Sequence, residues 1–227
     1  MEAVMAEHEV KTFSAKMEKT FHTSKDIQKY LAATSAEYRF LDPGRLLYIM
    51  AMSVPYKKRF EEEYFKHVYV TLKAWNMDSR SAKLHDFEDF SESLQTNKNI
   101  FHKLQSKKIE DFCKIDTELL SDLFENLKLS KTKSPLVTFA KTLHFFLPEL
   151  IVPIDRKFTL AFFGKENQWT FRKKEKQFLV FCNIESAFSN FAASHDLMVY
   201  KDHEWNQNIP KILDNLIIGY TLKNKEA

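Results

Sequence analysis

Glycine is so scarce in this chain that its absence constrains the fold more than any residue that is present. The 227 residues include three glycines, Gly44, Gly164 and Gly219, and 21 phenylalanines, whereas average usage is about 7% glycine. Walker loops, dinucleotide fingerprints and kinase glycine-rich loops all need several closely spaced glycines, and tight hairpins need residues at positive φ. The sequence therefore excludes a nucleotide cofactor bound in these ways and disfavours a hairpin-rich β fold.

The composition is that of a globular protein. Charged residues make up 29% of the chain and hydrophobic residues 44%, which fits neither a disordered nor a membrane-spanning chain. Charges and prolines interrupt the most apolar stretch, residues 136–154, so it is unsuited to cross a bilayer. The acidic N-terminus lacks the features of a targeting peptide, and Cys113 and Cys182 are far apart, as reduced thiols often are. We therefore expect a cytoplasmic protein with no membrane partner.

Helical periodicity dominates the chain. After a polar start, the first predicted helix covers residues 26–33. Asp42-Pro43 and Ser134-Pro135 each combine an N-cap residue with proline at the first helical position, and the helices they begin extend to about residues 53 and 147. The other predicted helices cover residues 56–75, 87–94, 108–113, 117–127, 156–163, 177–193 and 210–220. No repeat or low-complexity linker interrupts them, so we predict one all-α domain over residues 1–227, with possible lobes at 1–130 and 131–227.

Basic residues concentrate in the middle of the chain. Between Arg156 and Lys176, seven lysines and arginines stand against only Glu166 and Glu175. Such an excess is compatible with contacts to a phosphate backbone. It is also typical of a solvated helix face, and the sequence leaves both interpretations open.

Residues 137–164 carry the most specific pattern. An apolar helix, a connection bounded by prolines, Pro153-Ile154-Asp155 and a helix that ends at Phe163-Gly164 follow one another. This stretch resembles the active-site segment of the HhH-GPD DNA glycosylase superfamily, in which Pro-Val-Asp precedes a helix that ends in Leu-Gly. The resemblance implies a multi-helical, two-lobed fold, binding to double-stranded DNA, and excision of a base.

By this resemblance, Asp155 takes the role of the family's carboxylate. It would stabilise the positive charge that develops on the sugar as the base leaves, and help to activate water, as glycosidase carboxylates do. A position before a helix keeps a carboxylate ionised, because the free N–H groups and the helix dipole favour its charge. The same position is also that of an ordinary N-cap without chemistry. An open cleft at Asp155 would favour catalysis, whereas a covered carboxylate engaged by helix N–H groups would favour the cap.

The family's glycine hairpin, which binds DNA phosphate through backbone amides, has no counterpart here. The corresponding residues 131–137 contain no glycine, and Leu136 and Val137 stand where lyase members carry a Schiff-base lysine, with Lys133 and Lys141 on either side. The resemblance therefore implies a monofunctional enzyme that uses water as the nucleophile and contacts phosphates through side chains. The candidate DNA-binding residues are Lys131, Lys133, Arg156 and Lys157.

Two polar residues close to Asp155 in the sequence are candidates to support it. Lys141 and His144 lie in the preceding helix, and His144 is a candidate either to orient Asp155 or to cap carbonyls at the end of its helix. An extruded base needs an aromatic surface, for which Phe145, Phe146 and Trp169 are candidates by proximity in sequence. Because phenylalanine is so abundant, core positions are the simpler interpretation of these residues.

Other chemistries have no sequence signal. The chain contains no C-x-x-C, H-E-x-x-H or nucleophile-elbow pattern, so we expect no metal and no cofactor. Two functional hypotheses follow. The first is a DNA-binding protein with a glycosylase-like fold that excises a base with Asp155, and the second is a non-catalytic helical interaction protein that retains the fold without the chemistry.

Overall fold

The structure, a computed structural model, describes residues 2–39, 41–78, 83–132, 135–167 and 173–224. Within these ranges the chain is helical and no β-strand forms, which confirms the all-α prediction. The ten α-helices found there are α1 (Glu2–Thr20), α2 (Ser24–Glu37), α3 (Pro43–Ser53), α4 (Glu62–Ala74), α5 (Phe87–Thr96), α6 (Lys98–Leu104), α7 (Thr117–Asn126), α8 (Leu136–Phe146), α9 (Lys174–Ser194) and α10 (Ile209–Lys223). None of these helices is both long and apolar enough to cross a membrane.

Side-chain caps fix the beginnings of several helices. Asp42 accepts a hydrogen bond from the Arg45 N–H at the start of α3, where Pro43 occupies the first turn as predicted. The Asn208 side chain caps α10 in the same way, by accepting from the Lys211 N–H. Each cap satisfies an N–H group that the helix itself leaves unpaired, so local chemistry sets these boundaries.

The polar start of the chain forms a helix that periodicity did not identify. The core residues contributed by α1 and the turn after it are Phe13, Met17 and Phe21, spaced four apart. This single apolar row is narrower than the stripe of a typical amphipathic helix. It packs α1 against α9, and the ring of Phe13 lies 4.6 Å from that of Phe163. The stability of α1 therefore comes from tertiary packing.

Helix α8 runs through the centre of the fold. All eleven of its residues are buried, whereas the sequence predicted one apolar face. Phenylalanine rings surround it: Phe146 lies 5.2 Å from Phe101 of α6 and 5.3 Å from Phe60, and Phe139 lies 4.8 Å from Phe124 of α7. A helix enclosed on every side must also find partners for its polar side chains inside the protein.

The segment after α8 carries Asp155. Residues 148–150 form a turn and residues 151–155 have no regular secondary structure, as expected for a segment bounded by prolines, and Asp155 has an extended backbone. The predicted helix at 156–163 begins instead as a wide π-turn over Arg156–Leu160, with the Leu160 N–H bonded to the Asp155 carbonyl at 2.9 Å. Gly164 follows with φ +69°, the left-handed conformation predicted for a helix-ending glycine. π-turns inside helices occur frequently at functional sites.

Helices from both halves of the sequence pack together. Contacts join α1 to α9, α2 to α10 and α4 to α8, and the buried apolar residues form one cluster. Gly219 lies at the α2–α10 contact, where an added Cβ would be 1.9 Å from the Tyr30 carbonyl oxygen. The absence of a side chain at this position permits the two helices to approach.

We expect Gly219→Ala to lower the free energy of unfolding by about 2 kcal/mol, because backbone must move to relieve the overlap. Gly164→Ala is the matched control: the space around that Cβ is open, so only the left-handed backbone opposes it, at about 1 kcal/mol. Denaturant unfolding of both variants provides the measurement. A Gly219→Ala variant at least as stable as Gly164→Ala would contradict the close contact.

Candidate functional site

Asp155 lines a cavity of about 560 Å³, which lies in the size range of ligand-binding pockets. The start of α3, the end of α4, the middle of α8, the segment that carries Asp155, and α10 converge on it. Its charged lining residues include Asp155, Lys141, Lys157, Lys211 and Asp214, and its aromatic ones are Tyr38, Trp75, Phe158 and Trp205. The cavity therefore combines apolar walls with a small set of convergent charges.

Both oxygens of the Asp155 carboxylate accept hydrogen bonds. Oδ1 accepts from the Lys157 backbone N–H at 2.7 Å, and Oδ2 accepts from Lys141 Nζ, also at 2.7 Å. The Asp155 side chain is 25% exposed and that of Lys141 is 7% exposed. Asp155 is thus the N-cap of the turn that follows it and, at the same time, a carboxylate at a cavity wall.

The surroundings of Asp155 favour its charged form. Burial acts to raise its pKa, but the Lys141 ammonium group and the N–H groups of Lys157 and Phe158 outweigh this effect and leave the pKa below its ordinary value. The carboxylate is therefore ionised at neutral pH. Lys141 lies 5.6 Å from the centre of the Trp75 ring, so an indole covers the cation that pairs with Asp155.

The predicted basic residues separate in the structure. Lys157 lines the cavity beside Asp155, whereas Arg156 Nε donates to the Glu166 carbonyl at 3.0 Å. Lys131 forms an ion pair with Asp86 at 2.8 Å, next to the start of α5. Lys133 lies outside the described residues. Of this candidate set, the described structure brings only Lys157 to the cavity.

The predicted stacking residues are not the cavity walls. Phe145 and Phe146 are fully buried in the core and do not line the cavity, while Trp169 lies outside the described residues. Trp75, Trp205 and Tyr38 provide the aromatic surfaces instead. They come from the end of α4, the loop before α10 and the end of α2. Because they are far from Asp155 in sequence, a search for aromatic residues near Asp155 in the sequence could not identify them.

His144 forms a hydrogen bond with the segment that follows α8. The Ile151 carbonyl oxygen can only accept, so Nδ1 carries the proton and donates to it at 2.7 Å. Nε2 then accepts from the Tyr48 hydroxyl at 3.0 Å, and that oxygen accepts from Asn208 Nδ2 at 3.2 Å. Both ring nitrogens of His144 are engaged by Ile151 and Tyr48, and in the described part of the chain no hydrogen bond joins His144 to Asp155, so the expected orienting contact is not made.

A buried ion pair on α10 was not predicted. Lys211 Nζ donates to Asp214 Oδ2 at 2.5 Å, and the two side chains are 3% and 7% exposed. Burial lowers the pKa of Lys211 and raises that of Asp214, and their mutual attraction opposes both shifts. In sequence the pair has i,i+3 spacing on an amphipathic helix, which is the usual pattern of a surface ion pair.

Trp205 is held over this pair by its own loop. Lys211 Nζ lies 4.0 Å from the centre of the Trp205 ring. Asp202 Oδ1 accepts the backbone N–H groups of Glu204, Trp205 and Asn206 at 2.7–2.8 Å, which fixes the loop conformation. The hydrogen bonds within the loop therefore hold Trp205 in place as an aromatic wall of the cavity.

Comparisons with known proteins identify no relative. No family model, no curated protein and no solved structure matches this chain. The described residues contain no group of three or more His, Cys, Asp or Glu side chains arranged to hold a metal ion. The cavity and its residues are therefore the basis for proposing a function.

We expect His144 to make the fold sensitive to acid, because burial lowers its pKa from 6.5 to about 3. The folded chain keeps this histidine neutral while the unfolded chain protonates it, so stability present above about pH 6.5 is lost as the pH falls. The expected loss is about 1.4 kcal/mol per pH unit, measured by denaturant unfolding from pH 7 to pH 4. His144→Asn should remove most of this slope, and His22→Asn, at an exposed position, should not. An unchanged slope in His144→Asn would refute the assignment.

Proposed function

We propose that this chain binds double-stranded DNA and that its cavity receives a base extruded from the duplex, with Asp155 assisting hydrolysis of the N-glycosidic bond. The observation that carries the proposal is the position of Asp155, an ionised carboxylate at the wall of an aromatic-lined cavity. The sequence resemblance of residues 137–164 to HhH-GPD glycosylases, with the two-lobed architecture that it implies, agrees with this use of Asp155.

The cavity suits a planar, uncharged ligand. An extruded base is held by stacking on aromatic or apolar side chains and by hydrogen bonds to its edges. Trp75, Trp205 and Tyr38 offer the aromatic surfaces, and the charged groups beside them offer donors and acceptors. The four charges of Lys141, Asp155, Lys211 and Asp214 balance, so no net charge in this cluster calls for an ionic ligand.

In the proposed reaction, the bond between the sugar C1′ and the base nitrogen breaks and the base leaves with the electron pair and takes up a proton. The Asp155 carboxylate stabilises the positive charge on the sugar, and water adds to C1′ and releases a proton. Lys141 acts as a positioning residue because its ammonium group donates to Asp155. That engagement supports water, rather than this amine, as the nucleophile.

Phosphate contacts are assigned to side chains. Lys157 is exposed and lies next to Asp155, and Arg156 is its exposed neighbour. Basic side chains that pair with phosphates release counterions, which makes binding strongly dependent on salt. Lys157 is therefore the residue whose charge should matter most for DNA bound over the cavity.

The first test measures binding to duplex DNA, undamaged and with an abasic-site analogue, at several salt concentrations. We expect the logarithm of affinity to fall linearly with the logarithm of salt concentration, and Lys157→Gln to reduce the slope by about one. Lys103→Gln, at an exposed position on α6, is the matched control and should leave the slope unchanged. Absence of binding at low salt would overturn the proposal.

The second test measures base release from duplexes that each carry one modified purine or pyrimidine. Asn is as good an N-cap as Asp, so Asp155→Asn should fold, with lower stability because Lys141 loses its ion pair. It should still bind DNA but release base at least about 100-fold more slowly. Asp111→Asn, which removes an exposed carboxylate paired with Lys114, is the matched control. Equal rates in wild type and Asp155→Asn would remove Asp155 from the mechanism, and a covalent adduct trapped by borohydride would contradict water as the nucleophile.

The second candidate function is a non-catalytic helical interaction protein. It is favoured by the fact that both Asp155 oxygens already have hydrogen-bond partners. Under this alternative, no base would be released from any of the modified duplexes. Asp155→Asn would then change the stability of the protein but have no effect on base release.

A further inference from the structure

The buried ion pair of Lys211 and Asp214 is poorly explained by its contribution to protein stability, because such pairs contribute little. Both side chains are almost completely buried, and removing two charges from water costs several kcal/mol per ion, which the attraction between them only partly offsets. Apolar residues of similar size often replace such pairs without loss of stability. Both residues line the cavity, which points to a role in binding what enters it.

One carboxylate oxygen of Asp214 is left without a donor. Lys211 Nζ donates to Oδ2, and across the described ranges of the chain no side chain or backbone N–H donates to Oδ1. Buried carboxylate oxygens are acceptors that are nearly always satisfied. The side chain is 93% buried and borders the cavity, and Oδ1 is not fully enclosed by protein atoms, so it faces the cavity and can accept a hydrogen bond from a ligand there.

Guanine matches this acceptor better than the other DNA bases. Its N1–H and its 2-amino group are adjacent, parallel donors on one edge, in the same fork geometry by which a guanidinium group binds a carboxylate. Adenine, cytosine and thymine do not present two such neighbouring donors. The O6 atom beside N1 is an acceptor, and the Lys211 ammonium group, 2.5 Å from Asp214 Oδ2, is a donor next to the same carboxylate.

The aromatic walls suit a planar base in this orientation. Tyr48 is nearly parallel to Trp75, at 26°, and perpendicular to Trp205, at 89°, so the two indoles stand at a steep angle to each other. A flat ligand can stack on one indole while an edge meets the other. The walls therefore restrict the orientation of the ligand as well as supplying contact area.

We propose that Asp214 is the specificity-determining residue of the cavity and binds the N1–H and 2-amino group of a guanine-type base, with Lys211 donating to O6. This inference rests on the proposed function for the delivery of the base from DNA. Recognition of the base edge itself is measurable with free nucleosides, so the two are tested separately.

The experiment titrates the wild-type protein with 2′-deoxyguanosine, 2′-deoxyinosine, 2′-deoxyadenosine and thymidine at up to millimolar concentration, and follows tryptophan fluorescence and heat. 2′-Deoxyinosine keeps O6 and N1–H and lacks only the 2-amino group, so we expect it to bind about tenfold more weakly than 2′-deoxyguanosine. Asp214→Asn should bring the ratio of these two affinities close to one. Asp122→Asn, at an exposed position on α7, should leave the ratio unchanged.

Equal affinities for 2′-deoxyguanosine and 2′-deoxyinosine in the wild type would overturn the inference, as would tightest binding of 2′-deoxyadenosine or no binding of any nucleoside. This comparison needs no variant, so it holds even if Asp214→Asn fails to fold. A preference for 2′-deoxyguanosine without DNA binding would support the inference and refute the proposed function. Release of a base that is not of the guanine type, together with no preference for 2′-deoxyguanosine, would support the proposed function and refute the inference.

Discussion

The burial of α8 on every side is the constraint on which the rest of the structure depends. A helix at the centre of the fold cannot turn its polar side chains to solvent, so Lys141 and His144 find partners inside the protein. Both partners, Asp155 and the Ile151 carbonyl, belong to the segment that follows the helix. These two polar contacts hold that segment against α8 and place the Asp155 carboxylate at the cavity wall.

The four charged side chains around the cavity act as one group. The charge of Asp155 influences the pKa of Lys211, and the charge of Lys141 influences the pKa of Asp214, although the two pairs come from different helices. Loss of any one charge would leave an excess on the other three in a poorly solvated space. The four charges therefore interact as a group, and a neutral ligand disturbs their balance least.

The sequence predicted much of the fold because short-range chemistry determines helix ends. Asp42 with Pro43 and the left-handed Gly164 depend only on neighbouring residues, and both were correctly interpreted. Helix α1 was missed because its single apolar row is explained only by its packing against α9. The π-turn at Arg156–Leu160 was missed because its hydrogen bond spans just one residue more than that of an α-helix, which apolar spacing does not reveal.

Among the residues that line the cavity, the sequence identified Asp155, Lys141 and Lys157 as candidates, but not the ion pair or the aromatic walls. Lys211 and Asp214 have the spacing of a surface pair, and nothing local reveals that α2 and the Trp205 loop cover them. Trp75 and Trp205 are 130 residues apart, so only tertiary packing makes them walls of one cavity. The sequence alone could not show which residues far apart in the chain lie close together in the fold.

The contact at Gly219 determines more than the packing of two helices. Tyr38 closes the end of α2 and borders the cavity, while Asp214 and Ile218 border it from α10, so the separation of these two helices is also the width of the pocket on that side. Gly219 does not itself line the cavity, but it is the neighbour of Ile218, which does. The close approach of α2 and α10 that Gly219 permits therefore also limits the space left for a ligand between them.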